Sequence, residues 1–98
     1  MSVTDYRKLI DIHGGDFIGV ECTDGRTIEL SINGQAMKLD IDMVEHVVAR
    51  IRARMTDIMG NGMNAKMEFG FGTNLTRLTY YDAGQVLDAI VGAARFLA

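Results

Sequence analysis

The dipeptide Asn33-Gly34, set between two short alternating segments, constrains this chain more than any other feature. A two-residue hairpin loop needs positive φ at both central positions, and Asn and Gly tolerate that best. Such a loop pairs Leu30 with Met37, Ile28 with Leu39 and Glu29 with Lys38. The last pair adds about 0.2–1 kcal/mol and helps hold the register. Upstream, the segment Asp16–Cys22 turns at Thr23-Asp24-Gly25. A three-residue loop with Gly25 left-handed pairs Val20 with Ile28 and Ile18 with Leu30. A shorter loop would set Glu21 against Ile28, so the hydrophobic pattern selects the longer one. The meander collects Ile18, Val20, Cys22, Ile28, Leu30, Met37 and Leu39 on one face, and Glu21, Thr27, Glu29, Lys38 and Asp40 on the other. An antiparallel sheet wet on one face needs a layer on its apolar face.

The segment Asp42–Met59 supplies that layer. Asp42 and Glu45 have the spacing of a capping box. Val44, Val47, Val48, Ile51, Met55 and Ile58 then recur at three-four spacing, the stripe of a helix with one buried side. Gly60 is placed to end it in a left-handed conformation. Residues 4–13 read as a short helix capped at Thr4 and ended by Gly14-Gly15, with a strand over Leu9–Ile12 as the alternative. Further on, Asn64–Phe71 alternates with Met67, Phe69 and Phe71 on one face, and a loop at Gly72-Thr73 leads to Leu75–Tyr81. Asp82 and Gln85 then repeat the capping-box spacing at the start of a helix reaching about Leu97. The whole predicts one α+β domain over residues 1–98. It has an antiparallel sheet of about five strands, a three-strand meander plus a hairpin. Two to three helices cover one face, in the order (α)βββαββα.

Over residues 4–59, the order helix, three strands, helix is similar to that of a double-stranded-RNA-binding domain. Those domains carry lysines where this chain has Asp42-Met43-Val44-Glu45, and carboxylates there repel phosphate. The complete order resembles that of the acidic dimeric chaperones of type III secretion effectors. That resemblance is one of topology, and it implies a homodimer with an apolar groove for an extended peptide.

Chemistry is sparse. His13 lies near Asp11, Gly14, Gly15 and Asp16, and His46 lies at the edge of the helix stripe. Neither matches a catalytic or metal-binding spacing. Cys22 falls on the core face, where a thiol behaves as a small hydrophobe. Met55, Met59, Met63 and Met67 recur every four residues, but Gly60 and Gly62 interrupt any common helical face. No catalytic residue, metal site or cofactor is expected. The formal net charge of −3 disfavours a dedicated phosphate-backbone binder. One cysteine excludes an internal disulfide and suits a reducing, cytoplasmic setting; no apolar run is long enough to span a membrane.

The remaining candidates are contact surfaces. Arg50, Arg52 and Arg54, with Met63, are the expected partner-binding residues; arginine is favoured at such contacts. The last helix is apolar on more than one side and kept small by Ala89, Gly92 and Ala93. It is either sandwiched in the domain or half of a homodimer contact through Ala89, Gly92, Ala93 and Phe96. The expected function is that of a small non-catalytic protein, of bacterial, phage or mobile-element type. It docks on a larger protein partner and modulates or inhibits it, as anti-defence proteins do. The alternatives are a secretion-type chaperone and a nucleic-acid binder using the three arginines.

Overall fold

The structure is a computed structural model and describes residues 6–12, 14–62 and 65–97. The fold is α+β. Four antiparallel strands, β1 (Tyr6–Asp11), β2 (Phe17–Cys22), β3 (Ile28–Ile32) and β4 (Gln35–Leu39), form one sheet in sequence order. Helix α1 (Ile41–Met59) follows, then a separate hairpin of β5 (Lys66–Phe71) and β6 (Asn74–Thr79), then α2 (Tyr80–Ala94).

The leading segment is a strand, not the expected helix. β1 pairs along β2 from Tyr6↔Cys22 to Asp11↔Phe17. Ile10 and Ile12 are buried while Leu9 is 67% exposed, the alternation of a half-buried strand. Gly14 and Gly15 take φ of 104° and 97°, which turns the chain back into β2. Without β1 the edge of β2 would stand open. The expected Thr4 cap lies outside the described residues. Among the described residues there are two helices, in the order ββββαββα, and residues 6–12, expected as part of a leading helix, form β1 instead.

The β3–β4 hairpin has the expected register, with Glu29↔Lys38, Leu30↔Met37 and Ile28↔Leu39. Asn33 and Gly34 have φ of 52° and 90°, as the two-residue turn demands. The β2–β3 register differs from expectation by two residues: Val20 faces Leu30 and Ile18 faces Ile32. The Asp24 side chain explains this. Its Oδ1 accepts from the backbone N–H of Arg26 at 2.9 Å and of Thr27 at 3.0 Å. These bonds organise a longer loop over residues 23–27. A shift of two preserves which side chains face inward, so the expected residues stay inward, and the fully buried Ile32, not expected there, joins them opposite Ile18. The solvent face changes: Glu21 now lies opposite Glu29, between Arg7 on one side and Lys38 on the other.

Both helices start before their expected caps. Asp40, not Asp42, caps α1, its Oδ1 accepting from Met43 N–H at 2.9 Å. Asp42 sits in the first turn, where a carboxylate suits the helix dipole, and Glu45 is outside any capping box. Thr79, not Asp82, caps α2 through an Asp82 N–H to Thr79 Oγ1 bond of 3.1 Å. Asp82 is buried. Tyr80 therefore begins the helix and does not extend β6. Gly60 has a right-handed φ of −87°; the positive value, 95°, belongs to Gly62.

α2, not α1, is the central element. It lies against β1, β2, β3 and β6 on one side and against α1 on the other. α1 contacts α2, β4 and β5. Val86, Ala89, Ile90 and Ala93 of α2 join Val44, Ile51 and Ile58 of α1 and the inner face of the sheet in one apolar core. The apolar character of α2 on several sides thus reflects neighbours within the chain.

A polar clasp joins the hairpin to the sheet. Asp16 accepts from Thr76 Oγ1 at 2.5 Å and from Asn33 Nδ2 at 3.2 Å. Asn33 Oδ1 accepts from Phe17 N–H at 2.9 Å, and Asn74 Nδ2 donates to Ile32 O at 2.9 Å. The Thr76 hydroxyl first, then the Asn33 amide, hold the Asp16 carboxyl below its ordinary range, because both donate to the charged form.

Candidate functional site

Helical periodicity divides the three arginines. At about 100° per residue, Arg50 and Arg54 share one flank of α1, and Arg52 points roughly the opposite way. The structure confirms this. Arg50 and Arg54 line a cleft between α1 and the hairpin with Val47, Ile51, Met67, Glu68, Phe69, Gly70 and Leu75. Arg52 lines a second groove, between α1 and α2, with Met55, Thr56, Met59, Tyr80 and Leu87. The cleft measures about 200 Å³ and the groove about 310 Å³. The three guanidiniums therefore form no common patch. The expected fourth member, Met63, lies outside the described residues.

The fold dictates both sites. Val44, Ile51 and Ile58 anchor α1 in the core, which leaves its two flanks as walls. On the cleft side the opposite wall is β5, whose Met67 is buried and whose Phe69 is half-buried. Gly70 pairs with Leu75. A side chain at Gly70 would run into the backbone of Asn74 and Leu75, so this crossing accepts only glycine. On the groove side, Met59 is 62% exposed and Tyr80 46%. Tyr81 beside it is 66% exposed.

Among the described residues the one ion pair is Arg7–Glu21, at 3.9 Å with both side chains largely exposed. Arg50, Arg52 and Arg54 are exposed and make no ion pair with another described residue. Water satisfies them in the free chain, and a carboxylate can replace that water. Arginine suits the exchange because its planar fork meets a carboxylate with two parallel bonds.

The expected self-association residues lie largely inside the domain. Ala89 and Ala93 are buried in the chain's own core. Gly92 receives the Tyr6 ring, close enough that a Cβ there would sit 2.9 Å from Tyr6 Oη. Phe96 packs on the same ring at a centroid distance of 5.8 Å.

The other sequence candidates are dispersed. His13 is outside the described residues. Asp16 is engaged in the clasp and Asp11 is exposed, while His46 is exposed on α1. Cys22 is a free, buried thiol. No group of three or more His, Cys, Asp or Glu among the described residues is arranged to hold a metal ion. No described helix is long and apolar enough to cross a membrane. The sequence reading missed Met59, Tyr80 and Tyr81 as surface residues. The signal for Tyr80 and Tyr81 was Thr79, a good N-cap directly before them, which places both in the first helical turn. Comparisons with protein-family models, with curated proteins and with solved structures find no match for this chain.

Proposed function

We propose that this chain is a small, non-catalytic binding protein that docks on a larger protein partner and modulates or inhibits it. Accessory and anti-defence proteins of bacteria, phages or mobile elements are the type it fits. One observation carries the reading: each flank of α1 opens onto a recess, mixed in polarity on the β5 side and mainly apolar on the α2 side, edged by guanidinium groups without an ion partner among the described residues. Tyrosine and arginine are the residues on which binding energy at protein interfaces concentrates. Here Tyr80 and Arg52 share a groove with the exposed thioether of Met59, a side chain that adapts to varied surfaces.

The test is affinity capture from the source organism's lysate, run in parallel with the Met59→Glu/Tyr80→Glu double variant. Both positions are exposed, so the variant is expected to keep its circular dichroism spectrum. The reading requires a defined partner retained by the parent chain and lost by the variant. It requires also that the purified partner's activity change when the parent chain is added. Recovery of the same proteins by both chains, or an unaltered partner activity, sinks it.

A further inference from the structure

We propose that the cleft between α1 and β5 takes an extended acidic–apolar segment of the partner, added as a strand along the free edge of β5. This rests on the docking function proposed above and names the chemistry of what docks.

The first observation is how β5 borders the cleft. Met67, Glu68, Phe69 and Gly70 all line it. Successive side chains of a strand point to opposite faces, so both faces of β5 border the recess, with Leu75 of β6 reaching it across Gly70. β5 pairs with β6 and with no other described strand. One row of its N–H and C=O groups is therefore without a strand partner, and such an edge accepts an extended peptide through main-chain hydrogen bonds.

The second observation is size. A cleft of about 200 Å³ is smaller than the roughly 300–1,000 Å³ of pockets for drug-sized ligands. It admits one apolar side chain against Val47, Ile51, Met67 and Phe69, and leaves the rest of the occupant along the strand edge.

Charge is the third. Arg50 and Arg54 stand on the helix wall against a single carboxylate, Glu68, on the strand wall. Glu68 lies opposite Arg77 in the β5–β6 register, so the recess favours an anion. The two arginines are one helical turn apart, about 6 Å. Carboxylates at alternate positions of a strand are about 6.6 Å apart. An acidic–x–acidic segment thus matches the spacing of the two arginine positions, with an apolar residue two places further along, on the same face, for the floor.

The test selects a displayed library of random twelve-residue peptides on the intact chain. The proposal requires enrichment of alternating carboxylates with an aliphatic or aromatic residue in phase with them. The enriched peptide, synthesised with a fluorophore, is then measured by anisotropy. Arg50→Glu/Arg54→Glu is expected to weaken it at least tenfold, while Lys38→Glu, exposed on β4 and outside the cleft lining, leaves it unchanged. N-methylation of alternate peptide amides is expected to abolish binding in one phase of the alternation and not in the other. Absence of acidic peptides from the selection, equal binding by the double variant, or tolerance of N-methylation in both phases overturns the proposal. A partner captured by the whole protein and still held by Arg50→Glu/Arg54→Glu leaves the docking function standing and removes this cleft from it.

Discussion

Gly92 offers the sharpest test of how α2 is packed. It lies inside a helix, where replacing glycine with alanine normally gains about 1 kcal/mol. Here the added Cβ would lie 2.9 Å from Tyr6 Oη, 3.0 Å from Cε2 and 3.1 Å from Cζ. Carbon contacts favour about 3.5–4.0 Å, so the ring must move several tenths of an ångström. The ring is also held by Phe96, which limits that movement. Overpacking of this kind costs about 1–3 kcal/mol. Gly92→Ala is therefore expected to be neutral or destabilising, by about 0–2 kcal/mol, in the parent chain. In a Tyr6→Ala background the obstacle is gone. The same substitution should then stabilise by about 1 kcal/mol, or about 4–8 °C in Tm for a domain of this size. Urea and thermal unfolding of the four chains of the cycle, followed by circular dichroism, measure the difference. If Gly92→Ala changes stability equally in both backgrounds, within about 0.3–0.5 kcal/mol, Gly92 does not pack on Tyr6 and this account of α2 is wrong.

Three further outcomes follow from the same structure. Asp40→Ala and Thr79→Ala should each lose about 1 kcal/mol in urea unfolding, since each removes an N-cap; a comparable or greater loss from Asp42→Ala would place the α1 cap back at Asp42. Asp16 has its carboxyl pKa lowered from the ordinary 3.8 by the Thr76 and Asn33 hydrogen bonds. The stability it contributes is thus present above pH 3.8 and lost as pH falls through its lower folded value. Urea midpoints measured down this range should fall more steeply for the parent chain than for Asp16→Asn, and equal slopes would refute the clasp. Cys22 is fully buried, so a thiol reagent should label it only as the chain unfolds, and Cys22→Ser should destabilise by about 1–3 kcal/mol by burying a hydroxyl; rapid labelling of the native chain would contradict that burial.

What was legible depended on how local its determinants were. The Asn33-Gly34 hairpin was readable to the residue, because two positive φ values and a two-residue loop leave no freedom of register. The β2–β3 register was not. Two-residue periodicity cannot detect a shift of two, and the Asp24 bonds that lengthen the loop leave no trace in the hydrophobic pattern. The helix caps were displaced because Asp40 and Asp42 are equally good cap residues, as are Thr79 and Asp82. Only the end of the preceding strand decides between them. Leu9, Ile10 and Ile12 fit a helical turn or a strand, and pairing with the open edge of β2, the next segment along, settles the matter. The separation of Arg52 from Arg50 and Arg54 follows from helical geometry alone. The two recesses do not, since their second walls, β5 and α2, come from later in the chain. For α2 the sequence offered a sandwiched helix or a dimer contact; Ala89, Gly92 and Ala93 pack within the chain, while Phe96 is 36% exposed.

The contact between Tyr6 and the end of α2 also bears on how the molecule folds and comes apart. Tyr6 and Phe96 are about 90 residues apart in sequence (96 − 6) and touch in the structure. Bringing them together closes nearly the whole described chain into a loop, whose entropic cost must be met before the contact returns anything. The hairpin at Asn33-Gly34 closes over two residues and has no such delay. The ring contact therefore belongs to the late side of the folding barrier. Weakening it should leave the refolding rate almost unchanged and accelerate unfolding, so that Tyr6 and Phe96 act less as builders of the fold than as the latch that sets its lifetime.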